Sequence, residues 1–224
     1  MDWKQIYSYT FCPLSLLMGG IEKESSTSFL ESIAIKIFDF EKKNGFCLNR
    51  DGLRVLFNKT FWKKNEKNKE SKKLASRTYC GIYQWHDWYT TNIYTYVEQY
   101  VPFKLDTICA DYFIAPVLLL GKQEIIVLTF NEDITNSKRL TRDLYTRLLA
   151  ISIQKVLYKN VRVINFMVDG KELKITRAFF NEETTDQTEK VISAIINNIV
   201  QKKVWPNSSN CGKCKFNNKC LFIG

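Results

Sequence analysis

The chain has 224 residues and a mass of 26.3 kDa, which fits one domain over residues 1–224, since single hydrophobic cores grow to about 250 residues before splitting. Its 45% hydrophobic and 14% aromatic content supplies a core and excludes disorder for most of the chain. A net charge of +10 draws polyanions, DNA or RNA foremost, whereas no apolar run reaches the roughly 18 residues that span a bilayer and the N-terminus lacks a secretory layout, so a cytoplasmic protein with no membrane association is expected.

In chain order, Ser8 to Met18 reads as a short helix carrying Cys12-Pro13 and stopped by Gly19-Gly20. From Ser26 to Lys43 apolar residues recur at Phe29, Ile33, Ile37 and Phe40, which is helical spacing, and Asn44-Gly45 ends the run. Nine Lys and Arg residues lie between Arg54 and Arg77. Lys63, Lys64, Lys67, Lys69, Lys72 and Lys73 among them read either as a solvated helix or loop, or as a nucleic-acid-facing patch. Gly81 to Gln99 reads as a long amphipathic helix. Its Trp85, Trp88, Tyr89, Tyr94 and Tyr96 suit a core at that spacing, or stacking on unpaired bases. His86 within it reads as a partly buried helix residue.

Pro102 breaks the pattern. Phe103 to Phe113 and Glu124 to Phe130 then read as a hairpin joined through Gly121-Lys122. Ser137 to Tyr158 is apolar at helical spacing. Val161 to Val168 and Lys171 to Phe179 alternate about Asp169-Gly170, a strong hairpin signal. A last helix spans about Asp186 to Lys202.

Seven cysteines, an odd number with four near the chain ends, fit a disulfide framework poorly. Cys211, Cys214 and Cys220 place three thiols within ten residues, on a loop able to wrap one centre. Structural zinc and iron-sulfur sites take four ligands, and Cys12 is the best fourth. Thiolates suit zinc and iron alike. Such a site would tie the 208–224 segment to Cys12, and closing a loop of about 200 residues removes on the order of 5 kcal/mol of unfolded-state entropy in the simple chain model. Cys47, Cys80 and Cys109 read as small buried apolar residues.

These features together resemble a known family. The segment "YSYTFCP", a central hairpin with an aspartate, a helix, a second hairpin, a helix and "VWPNSSNCGKCKFNNKC" are similar to the RecB-like, four-iron branch of the PD-(D/E)XK nucleases, which includes CRISPR-associated exonucleases and the AddB nuclease domain. The resemblance implies an α/β restriction-endonuclease-like core, a central mixed sheet flanked by helices, with the termini joined at a four-cysteine centre. It implies a 4Fe-4S cluster on Cys12, Cys211, Cys214 and Cys220, with zinc as the alternative.

Carried over residue by residue, the family's first aspartate falls on Asp111. Its Asp/Glu-x-Lys pair, which holds magnesium or manganese and orients water, falls on Thr129 and Asn131. Neither can do that work: threonine is a weak neutral ligand and asparagine carries no charge. The helix after the core carries Tyr145, but Thr141 stands where a glutamine belongs. Glu124, Glu132 and Asp133, with Lys122, flank the second strand and could rescue the site only in a shifted register.

The resulting expectation is a nuclease-fold protein that binds DNA or RNA with a degraded active site, in DNA processing, recombination or a mobile-element or defence setting. The alternatives are an active magnesium- or manganese-dependent exonuclease with a displaced acid, and a metal-stapled subunit docking onto a protein assembly. A wealth of Lys, Asn and Ile suits a phage or a low-GC bacterium, hence the cytoplasm of a bacterial cell or infected host.

Overall fold

The computed structural model describes residues 3–19, 29–59, 69–91, 95–96, 102–105, 109–114, 117–120, 124–131, 133–169, 172–203, 205, 207–214, 216 and 220. The chain divides into two compact units, one drawn from Met1–Ser26, Pro102–Phe113 and Asn181–Gly224, the other from Thr27–Val101 and Ile114–Phe180. No described helix is long and apolar enough to cross a membrane.

The second unit is built on a five-stranded mixed sheet. In chain order its strands are β1 (Thr95–Tyr96), β4 (Val117–Leu120), β5 (Glu124–Thr129), β6 (Asn160–Asp169) and β7 (Glu172–Phe180), and this is also their order across the sheet. β2 (Pro102–Leu105) and β3 (Cys109–Ile114) form a separate two-stranded sheet. β5 runs antiparallel to β4 and parallel to β6, so it needs a crossover to reach β6. That crossover is α5 (Ser137–Arg142) followed by α6 (Leu144–Leu157), and α6 packs on β6.

β5 reads Glu-Ile-Ile-Val-Leu-Thr and is buried from Ile125 onward, as a strand covered on both faces must be. Ile126 and Leu128 join Ile164 and Phe166 of β6 in one apolar cluster with Ile33, Ile37, Phe38, Ile82 and Trp85. Those last residues come from α2 (Phe29–Asn44) and α4 (Lys69–Thr91). Strand alternation leaves Ile125 and Val127 to the opposite face, together with Val161 and Val163. Phe38 meets Trp85 edge-on at 5.2 Å, and Trp88 meets Phe166 at 5.0 Å.

Several expectations are corrected. The N-terminal helix is α1 (Trp3–Phe11), and Cys12-Pro13 ends it, because proline has no N–H to continue the ladder; a 3-10 turn, Pro13–Met18, follows. The aromatic helix begins earlier, at Lys69, and ends at Thr91, so Tyr96 lies on a strand. The partner of β5 is residues 117–120 in place of 103–113.

The single helix expected over 137–158 is two, because Asp143 adopts an extended ψ of 116° and its carboxylate caps Thr146 through both N–H and hydroxyl. A helix absent from the sequence reading, α3 (Arg50–Phe57), is capped by Asn49. Of the three cysteines expected to be buried, Cys47 is exposed on the loop after α2 and Cys80 is half-buried; Cys109 is on β3, its side chain outside the described residues. The Asp169-Gly170 hairpin stands, with β6 and β7 paired out to Asp169 and Glu172. Asn44-Gly45 ends α2, with Gly45 at φ +71°.

Gly81 sets the seat of α4 on the sheet. A Cβ built there would lie 2.4 Å from Cγ2 of Val168, a branched side chain with little rotamer freedom. Helix propensity alone gives Gly81→Ala a gain of about 1 kcal/mol. The close approach reverses the sign, and urea unfolding is expected to show a loss of about 1–3 kcal/mol.

Candidate functional site

The cysteine region lies within the first unit. The end of α1 and the tail are tied by polar contacts around the Phe11 carbonyl, which accepts from Nδ2 of Asn207 at 3.0 Å and of Asn210 at 2.6 Å. Leu14 N–H donates to the Trp205 carbonyl at 3.1 Å. Asn207 N–H donates to Cys12 Sγ at 3.4 Å. Tyr9 meets the Trp205 ring edge-on at 5.6 Å, and α1 packs on α7 (Glu182–Val200), whose Ile192 is buried.

A 3-10 turn, Ser208–Lys213, then carries Cys211 into this neighbourhood. Burial pushes the Cys211 thiol up, and the nearness of Cys220, Cys12 and Cys214 pushes it further. Among the described residues, which include all four of these cysteines, no group of three or more Cys, His, Asp or Glu is arranged to hold a metal ion.

The end of β5 is organised differently. Asn165, at the centre of β6 and 0% exposed, pairs in register with Thr129. Its Oδ1 accepts from Thr129 Oγ1 at 3.0 Å and from Asn131 N–H at 2.8 Å; its Nδ2 donates to the carbonyls of Asn131 at 2.9 Å and Ile134 at 3.2 Å. Those four bonds fill the donors and acceptors of an amide and fix its orientation, since a backbone N–H must meet the oxygen and a carbonyl the nitrogen. Asn131 in turn accepts from Asp133 N–H through its own Oδ1 at 2.9 Å, which forms the turn leaving β5. A carboxylate at position 129 would face the Asn165 oxygen, acceptor against acceptor.

Asp111 is on β3, assigned to the first unit, whereas Thr129 and Asn131 belong to the second; its side chain is outside the described residues. Tyr145 stands half-buried on the first turn of α6. Thr141 bonds back to the Ser137 carbonyl at 3.0 Å. Glu124 stands at the other end of β5 from Thr129 and pairs with Arg162 at 3.1 Å, which removes it from any rescue. Asp133 is exposed, and Glu132 and Lys122 fall outside the described residues.

His86 is buried, its Nε2 2.8 Å from Glu41 Oε1, which also accepts Leu48 N–H at 2.7 Å. This contact joins α2, α4 and the loop between α2 and α3. Trp85 is core, Trp88 and Tyr89 pack against it, and the side chains of Tyr94 and Tyr96 are outside the described residues. Lys63, Lys64 and Lys67 lie outside them too; Lys69, Lys72 and Lys73 are on α4, their side chains likewise undescribed.

No protein-family model matches the chain, and no curated protein matches it. Among solved structures it is similar to a protein from Eubacterium rectale provisionally described as an exonuclease, at 12% identity over 97% of this chain and 87% of that one, with a TM-score of 0.46. It is also similar to an alkaline exonuclease from Laribacter hongkongensis, at 10% identity over 81% and 84%, with a TM-score of 0.33. At identities this low and TM-scores below 0.5, neither likeness bears on function.

Removing Asn165 leaves two donors and two acceptors without their partner. Asn165→Ala is expected to cost about 1–3 kcal/mol in chemical unfolding, and Thr129→Val about 1 kcal/mol, since the amide then keeps its backbone bonds. Equal, negligible losses in both would contradict the network.

Proposed function

We propose that this protein binds nucleic acid on a PD-(D/E)XK nuclease-like scaffold whose catalytic positions are degraded, with Cys12, Cys211, Cys214 and Cys220 holding a 4Fe-4S cluster. What carries the reading is the Asn165 network. Thr129 and Asn131, the positions at which the resemblance requires an acid and a lysine, have their polar groups engaged in closing the end of β5. An acid at position 129 would need the amide to turn and its three backbone bonds to break. The charge of +10 supplies affinity for phosphates that weakens with salt.

The cluster, when bound, supplies a covalent clip between the two ends of the chain. The chain's own part is to gather the sulfurs: Asn207 and Asn210 hold the tail on the end of α1, and Asn207 N–H faces Cys12. Its role here is structural. Clipping about 200 residues constrains the unfolded chain by on the order of 5 kcal/mol.

Two measurements test the reading. Labelled single- and double-stranded DNA incubated with magnesium or manganese should be bound in a salt-sensitive way and left uncut by the anaerobically purified protein and by Asp111→Ala alike; cleavage lost in Asp111→Ala would establish an active enzyme and overturn the degraded site. Metal analysis with visible absorption should find about four irons per chain, in keeping with one such cluster, and Cys12→Ser should lose them and unfold at lower denaturant. Zinc without iron would remove the cluster assignment.

A further inference from the structure

One face of the five-stranded sheet is only partly covered. The α2–α4 cluster reaches Ile126, Ile164 and Phe166, with Leu173, Ile175 and Val168 against it. The next positions on that same face, by register and alternation, are Arg162, Arg177 and Phe179. There the cover stops: Phe179 is 47% exposed and Arg177 is exposed. Phe179 lies directly opposite Arg162, so their Cβ atoms are about 5 Å apart. The connection entering β6 at this end of the sheet carries Tyr158, 89% exposed, and Lys159.

The charges on this patch are unevenly matched. Arg162 is bound to Glu124 at 3.1 Å through both Nε and a terminal nitrogen. Among the described residues Arg177 and Lys159 make no ion pair. An exposed ring beside an unpaired guanidinium is a poor seat for an apolar protein surface, which would bury that charge without a counter-ion. It suits a base stacked on the ring with its phosphate on the cation. A duplex offers no free base face for such a ring, so the occupant is a single strand.

We infer that the open end of this sheet face, Phe179 with Arg177 and Arg162, is a binding surface for single-stranded nucleic acid. This rests on the nucleic-acid-binding reading above and adds where the strand lies and that it is unpaired. The surface is independent of the end of β5: Arg162 pairs with Ile126, three residues before Thr129, and Thr129 faces the other side of the sheet. A strand held here has no need to cross the Asn165 network.

The test is fluorescence anisotropy of a labelled oligothymidine across a salt series, with the wild type, Phe179→Thr, Phe179→Tyr and Arg177→Ala. Phe179→Thr keeps strand propensity and should weaken binding by on the order of 10-fold with the salt slope unchanged. Phe179→Tyr keeps the ring and should bind as the wild type does, which also shows that position 179 tolerates substitution. Arg177→Ala should lower the salt slope by about 0.7. Wild-type binding with Phe179→Thr and Arg177→Ala indistinguishable from it would overturn this surface and leave the nucleic-acid reading intact. No binding by the wild type at low salt would overturn both.

Discussion

The last rung of the β5–β6 ladder, where Thr129 lies beside Asn165, is the constraint on which the second unit turns. β5 is parallel to β6 and buried on both faces, so helices must cover both sides, α2 and α4 on one and the α5–α6 crossover on the other. Such a strand cannot end in bare backbone, because a buried N–H or carbonyl without a partner costs about 1–3 kcal/mol. Asn165 answers this from the neighbouring strand. One side chain caps the end of β5, starts the turn toward α5 and satisfies the Thr129 hydroxyl.

A metal-binding strand end needs carboxylates with oxygens free to face an ion and a cation free to orient water. Thr129 and Asn131 are neutral, and the Thr129 hydroxyl, the Asn131 backbone groups and Asn131 Oδ1 already have partners within the protein. In the first unit four thiols stay half-exposed, and Asn207 contacts two of them, its N–H on Cys12 Sγ and its carbonyl on Cys211 Sγ.

Much of this was legible in the sequence because it rests on local chemistry. The Asp169-Gly170 turn and the stop at Asn44-Gly45 each declare themselves within a few residues. The errors came where a local signal met a tertiary choice. Ser137 to Tyr158 has one helical period, but Asp143 caps a second helix more favourably than it continues the first. The run from Phe103 to Phe113 has strand propensity, yet Val117–Leu120 is the segment whose register buries β5.

Asn165 left a signal that went unused: a polar amide in the middle of Val-Ile-Asn-Phe-Met, where burial demands that it be bonded. The clamping roles of Asn207 and Asn210 had no such signal, since asparagines in a tail read as loop. Residues on the far side of a hydrogen bond are not visible from spacing alone.

The most direct test of the claim that β5 ends in a closed network and not in a metal site is a titration of the protein with manganese followed by electron paramagnetic resonance. The account predicts only weak, non-saturating binding that is the same in the wild type and in Asp111→Ala. A saturable site of about one ion per chain that disappears in Asp111→Ala would contradict it, and would mean that the strand end opens to receive the ion.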